Sequence, residues 1–148
     1  MSDTLQAITA AIDAQNNVRV ECDVIGEYKT KEYSAVFDSG FSGDVVIPQS
    51  MAVDIGLASG GVAEISLADG STQIVKLYLC KIKIGRITQE ASTIIIGDEV
   101  LIGMGLMKPF DICLRAGTSE VVMEPQKTYA NFVGVLRELT GTHMEGVD

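Results

Sequence analysis

Ala35-Val36-Phe37-Asp38-Ser39-Gly40-Phe41-Ser42-Gly43-Asp44 runs directly into Val45-Val46-Ile47. An apolar run climbs to a carboxylate, a hydroxyl residue and a glycine follow, and a second apolar run leaves. This pattern predicts a strand that delivers Asp38 to a tight loop and a second strand that departs, with Gly40 and Gly43 allowing turns that other residues resist. A carboxylate at the end of a buried strand is costly unless it is hydrogen-bonded or put to chemical use. Asp-Ser-Gly is also ordinary turn chemistry, and an Asx turn is the plainer reading of the tripeptide alone.

Much further along, Val100-Leu101-Ile102-Gly103-Met104-Gly105-Leu106-Met107 repeats the theme: an apolar strand ends on a glycine and enters an apolar, helix-compatible segment. Either stretch alone says little; their order and spacing say more. Together they resemble the retropepsin-like aspartic peptidases, in which Asp-Ser/Thr-Gly and a later apolar-apolar-Gly form paired loops under the active site. Phe37-Asp38-Ser39-Gly40-Phe41-Ser42-Gly43 and Leu101-Ile102-Gly103-Met104 look especially like small prokaryotic members of that clan. The resemblance covers about Val18 to Leu114. It implies a mainly β fold, a small closed retropepsin-like (acid protease) β-barrel.

The surrounding pattern agrees with a β-rich chain. Val18, Val20, Cys22 and Val24 alternate with charged residues, which is the period of a half-buried strand. Tyr33 to Phe37 feeds Asp38, Pro48 stops Val45-Val46-Ile47, and Gln49 to Leu57 reads as a short helix or turn. Ala63 to Leu67, the turn residues Ala68-Asp69-Gly70-Ser71, and Thr72 to Leu79 read as a hairpin. Further strands are expected at Cys80–Ile84, Ser92–Ile96, Ile112–Leu114 and Val121–Met123. Leu5, Ile8 and Ile12 fall on one helical face, and Tyr129, Phe132, Val133, Leu136 and Leu139 trace another. Short helices are therefore expected at both termini, about 3–15 and 127–140, around a core of about 18–114 in a single domain spanning 1–148. Helix-length segments between the strands, which a doubly wound α/β sheet would need, are missing.

At 148 residues the chain is long enough to bury about 70% of its unfolded surface without a disulfide or metal staple. Apolar residues make up 47% and aromatics 5%, with no Trp, so the core should be built from Val, Ile, Leu and Met. A net charge of −9 excludes nucleic acid or an anionic membrane as the main partner, because neutralising phosphates needs clustered Lys and Arg. Cys22, Cys80 and Cys113 are scattered and contain no Cys-x-x-Cys pair, which suits small core residues in a reducing cytoplasm. His143, the single histidine, sits in an expected tail, so a cysteine peptidase is disfavoured. No secretory signal and no membrane-length apolar run is visible, which leads to the expectation of a soluble, cytoplasmic protein. No metal-spaced cluster or phosphate loop is present, so no cofactor is expected.

Hydrolysis of a peptide without metal or side-chain nucleophile needs two carboxylates sharing one proton. The chain carries one Asp-Ser/Thr-Gly, so the resemblance implies that the second Asp38 comes from an identical chain across a two-fold axis. It also implies supporting roles: the Ser39 hydroxyl bracing the loop across that axis, Gly40 leaving room for substrate, and Gly103 letting the second loop pack under the first. The tip Ala68-Asp69-Gly70-Ser71 falls where the family carries its flap. Phe41, Val45, Ile65 and Ile102 are candidate walls of the substrate pocket, while Asp44, Asp54, Asp98 and Glu99 read as solvated turn or cap residues.

Five departures from the family pattern stand out. Ser39 replaces the commoner Thr, Met104 stands where many retroviral members have Arg, Gly105 stands where Asp or Asn is frequent, the hairpin tip is less glycine-rich than many retroviral ones, and the ends read as helices. Two functions compete on this basis. One is an aspartic endopeptidase active as a homodimer on peptide or protein substrates. The other is a non-catalytic module that uses the same barrel for dimerisation or peptide binding.

Overall fold

A computed structural model describes residues 8–127 of the chain. Strands dominate it. The alternating stretch Val18–Ile25 forms β2, with β1 (Ala10–Ile12) before it and β3 (Thr30–Phe37) after it. Beyond the Asp38 loop come β4 (Val45–Ile47) and a short helix, α1 (Gln49–Ile55). The hairpin strands are β5 (Ala58–Ser66) and β6 (Thr72–Ile84), followed by β7 (Ile87–Ile95) and the two-residue β8 (Leu101–Ile102). A 3-10 turn at Met104–Leu106 leads to β9 (Phe110–Arg115) and β10 (Glu120–Pro125), which pair with each other.

Six of these strands close into a ring, in the order β2, β3, β8, β4, β7, β6 and back to β2. The closing contact is antiparallel, with Asp23, Val24 and Ile25 opposite Lys83, Ile82 and Lys81. Closure follows from the alternation. Val20 and Val24 of β2 and Ile82 and Ile84 of β6 point inward and are fully buried, while Glu21, Lys81 and Lys83 point to water. Ala35, Val45, Ile47, Val100, Ile102 and Leu106 complete the interior. Each fully buried Val, Leu or Ile side chain contributes about 1.5–3 kcal/mol relative to exposure, so the ring rather than the periphery carries most of the stability. Pro48 fits the entry to α1, whose Met51, Ala52 and Ile55 turn to the core.

The mainly β expectation holds, and two details differ. Cys80–Ile84 is not a separate strand but the continuation of β6, which runs unbroken from Thr72. The N-terminal helix expected over 3–15 is not what residues 8–15 form. Ala10–Ile12 lie antiparallel to β2, with Ala10 opposite Val20 and Ile12 opposite Val18. The turn that follows is closed by Asp13, whose Oδ1 accepts the Gln15 and Asn17 backbone N–H groups at 2.9 Å each. An open edge of β2 gives these residues backbone partners that an isolated short helix would have to find alone. The first seven residues and the helix expected at 127–140, apart from Lys127, lie outside the described residues.

Candidate active site

β8 is short because it fills one slot. It runs parallel to β3, with Val36 opposite Leu101 and Phe37 opposite Ile102, and antiparallel to β4, with Val45 opposite Ile102. It therefore joins the strand that enters the Asp38 loop to the strand that leaves it. Val36 donates its N–H to Val100 O at 3.0 Å, and Asp38 donates its own to Ile102 O at 2.9 Å. The end of β3 is thus pinned at the residue where the carboxylate begins.

Beyond that point the two loops clasp each other through the backbone. Gly103 N–H donates to Asp44 O at 2.9 Å, Met104 N–H to Phe41 O at 2.8 Å, and Gly105 N–H to Gly43 O at 3.0 Å. The approach is so close that a Cβ on Gly103 would lie 2.2 Å from Gly43 O and 2.6 Å from Phe41 O. No side chain fits there, because both obstacles are backbone oxygens.

Asp38 itself stands exposed at the top of this platform. Its Oδ1 accepts the Gly40 N–H at 2.8 Å, an Asx turn that orients the carboxylate and leaves its other oxygen open. The Asx reading and the active-site reading are therefore compatible. Ser39 is exposed, and its hydroxyl makes no hydrogen bond among the described residues. Beside Asp38 lies a cavity of about 350 Å³ with apolar walls from Phe41, Val46, Ile96 and Leu101, and with Asp98 and Glu99 on its lining. Ile96 is shared with a larger trough of about 700 Å³ that runs under the hairpin past Ile65, Leu67 and Ile74.

The hairpin turn sits at Ala68-Asp69-Gly70. Leu67 N–H donates to Ser71 O at 2.8 Å and Gly70 N–H to Leu67 O at 2.9 Å, with Gly70 at φ +87°. This is a three-residue loop that ends in the left-handed position glycine favours. Asp69 Oδ1 accepts from the Ser71 hydroxyl at 2.6 Å and from its N–H at 2.9 Å. Those bonds, the hydroxyl first, hold the Asp69 carboxyl below its ordinary pKa.

The expected pocket walls separate into two groups. Phe41 lines the cavity beside Asp38 and Ile65 lines the trough. Val45 and Ile102 do not belong to either wall: both are fully buried in the ring interior, because their strands present them to the core. Three acids read as merely solvated also have structural partners. Asp44 Oδ2 accepts the N–H of Ser92 on β7 at 2.9 Å, and its Oδ1 occupies the space a Cβ on Gly105 would need, 2.0 Å away. Asp54 bridges Lys29 and Lys31 at 2.7 and 3.4 Å. Glu99 pairs with Arg19, which also holds Asp13 at 2.8 Å. Hydrogen bonding to Arg19 lowers the Asp13 pKa, and hydrogen bonding to Lys29 lowers that of Asp54.

No described helix is long and apolar enough to cross a membrane. Compared with known proteins, the chain is similar to a retropepsin-like aspartic protease from Rickettsia conorii, with 12% identity and a TM-score of 0.49 over 80% of this chain and 91% of that one. No curated protein matches it. A family model described as aspartyl protease matches residues 20–114, which take in most of β2, the Asp38 loop, the hairpin, the Gly103 turn and most of β9. With more than half of its length matched, and with Asp38 and Gly103 inside the match, the chain belongs to the aspartyl protease family.

Proposed function

We propose that this protein is an aspartic endopeptidase whose site is completed by a second copy of the chain, with Asp38 of each protomer forming the catalytic pair. The observation that carries this reading is the placement of Asp38. It is an exposed carboxylate on a loop held by backbone hydrogen bonds on both sides, inside the region that matches the family. The turn that clasps this loop reads Gly103-Met104-Gly105, so the chain has no acid of its own at the partner position. A two-fold axis passing beside Asp38 supplies one.

In the pair, one carboxylate is ionised and the other protonated, because two like charges this close do not both ionise easily. The ionised group takes a proton from a water as its oxygen bonds to the scissile carbonyl carbon. The protonated group gives its proton to the carbonyl oxygen. Collapse of the resulting diol breaks the C–N bond, and the leaving nitrogen takes up a proton from the pair. Within this scheme the Ser39 hydroxyl braces the loop across the axis and Gly40 leaves room for the substrate backbone. The hairpin tip 68–71 closes as a lid over bound peptide, with Ile65 and Phe41 among the walls.

The test is peptide cleavage over about pH 3–7, where a carboxylate pair titrates, by wild type and Asp38→Asn, with sedimentation equilibrium on both. Cleavage by the dimeric wild type and its loss in Asp38→Asn are expected. Equal activity in the two, or a strict monomer at micromolar concentration, overturns the reading and leaves a non-catalytic dimerisation or peptide-binding module.

A further inference from the structure

We infer that the cavity beside Asp38 selects a lysine or arginine side chain next to the scissile bond, and that Asp98 is the residue that reads the charge. This rests on the peptidase reading above and adds a substrate class to it. The cavity, about 350 Å³, has two kinds of lining. Phe41, Val46, Ile96 and Leu101 offer apolar surface, whereas Asp98 and Glu99 offer carboxylates.

The two carboxylates are not equivalent. Glu99 is already held by Arg19, which is itself fixed by Asp13 and by its bond to Ser34 O at 3.1 Å. Among the described residues Asp98 is exposed and makes no ion pair, and no cationic one of them lines the cavity. A side chain with an aliphatic stem and a cationic head matches both linings at once, with the stem on the apolar wall and the head at Asp98. A purely apolar side chain would cover Asp98 without giving it a partner. An acidic one would meet like charge from Asp98 and from Asp38.

The neighbouring trough contrasts with this. Among the described residues it is lined by Ile65, Ile74 and Ile96 with Lys76 among them and no carboxylate, so it accepts apolar residues further from the cleaved bond. In a two-fold dimer each cavity occurs twice, so the preference for a basic residue applies on both sides of the bond.

The test uses peptides identical except for Lys, norleucine or Glu flanking the cleaved bond. With wild type, kcat/KM for the Lys peptide should exceed that for the norleucine peptide by about three- to fivefold, the size expected of an exposed ion pair, and less at high salt. The ratio should fall to about one in Asp98→Asn, and the Glu peptide should gain on the Lys peptide in Asp98→Lys. Binding of the same peptides to Asp38→Asn, with and without Asp98→Asn, is measured by calorimetry. Cleavage with no Lys preference, or a preference that survives Asp98→Asn, overturns the charge assignment and leaves the peptidase intact. No cleavage, but Lys-selective binding that depends on Asp98, overturns the peptidase and sustains the charge assignment. Neither cleavage nor charge-dependent binding overturns both.

Discussion

The Asp38 loop and the β5–β6 hairpin are built from the same kinds of residue, yet their surroundings could hardly differ more. Between Asp38 and Gly105, the two loops exchange backbone hydrogen bonds at Ile102, Phe41, Gly43 and Asp44, over a floor of fully buried Val45 and Ile102. Among the described residues the hairpin beyond Tyr78 pairs only with itself, because the β6–β7 ladder ends at Tyr78 opposite Thr93. Ile74 and Val62 on it are 72% and 68% exposed, and a bulge interrupts its register between Ser59 and Gly61. A two-stranded ribbon is marginal by itself, whereas a loop cross-linked over a core opens only with the domain. The chain therefore sets a cross-linked platform under Asp38 and a less supported arm beside the trough, and the proposed lid role of the hairpin draws on that difference.

The most forceful way to sharpen this comparison is Asp38→Asn. Asn can still accept the Gly40 N–H, so the platform should remain, with stability unchanged within about 0.5 kcal/mol. Peptidase activity should fall by about a thousandfold, the middle of the range for removing a positioned acid or base. Parallel thermal melts and cleavage assays check it. Collapse of the fold in this variant would show that the carboxylate serves the platform rather than the chemistry.

Glycine substitutions separate the two regions next. Gly103→Ala pushes a methyl against the Gly43 and Phe41 carbonyls, which cannot swing aside as a side-chain end can. A loss of about 3 kcal/mol is expected, the upper end for overpacking, with activity lost alongside it. At the hairpin tip Gly70 has nothing within 4 Å of a would-be Cβ, and only its φ of +87° resists substitution. Gly70→Ala should therefore cost about 1 kcal/mol, confined to the arm. Urea unfolding monitored in the core and at the tip distinguishes the two. Equal global losses would erase the distinction between platform and arm.

Much of this architecture could be read from the residues alone, for reasons that also mark where reading stops. The alternation of Val18 to Val24 announces β2, because one face is buried and the other wet. The Asp69-Gly70 turn announces the hairpin, because few other residues take its backbone angles. Long-range pairing leaves no such mark. Asp44 sits next to Val45 in sequence, but its partner, the N–H of Ser92, belongs to a strand laid alongside only by the closed ring. Val45 and Ile102 are apolar whether they line a pocket or fill a core, and only the register of β4 against β8 decides for the core. The stripe Leu5, Ile8 and Ile12 has helical spacing, and yet Ala10–Ile12 lie along the open edge of β2. A ladder beside a formed strand overrides so weak a local preference.

The smallest expected effect probes the arm by acid. Asp69 has its carboxyl pKa lowered in the folded hairpin by the Ser71 hydroxyl and N–H groups. A lowered folded value means that the contribution is present above the unfolded pKa, about 3.9, and is lost as pH falls through the folded value. The tip should therefore loosen below about pH 4, on the acid side where a carboxylate pair works. Asp13 and Asp54 are lowered too, by Arg19 and Lys29, but they act on the ring, so the readout must be local. Hydrogen exchange of the Gly70 and Ser71 amides, corrected for intrinsic rates, should accelerate on acidification in wild type and change less in Asp69→Asn. The Met104 and Gly105 amides, bonded to Phe41 O and Gly43 O, should stay protected over the same range. If both sets accelerate together, acid opens the domain as one unit, and the arm has no mobility of its own to lend to a lid.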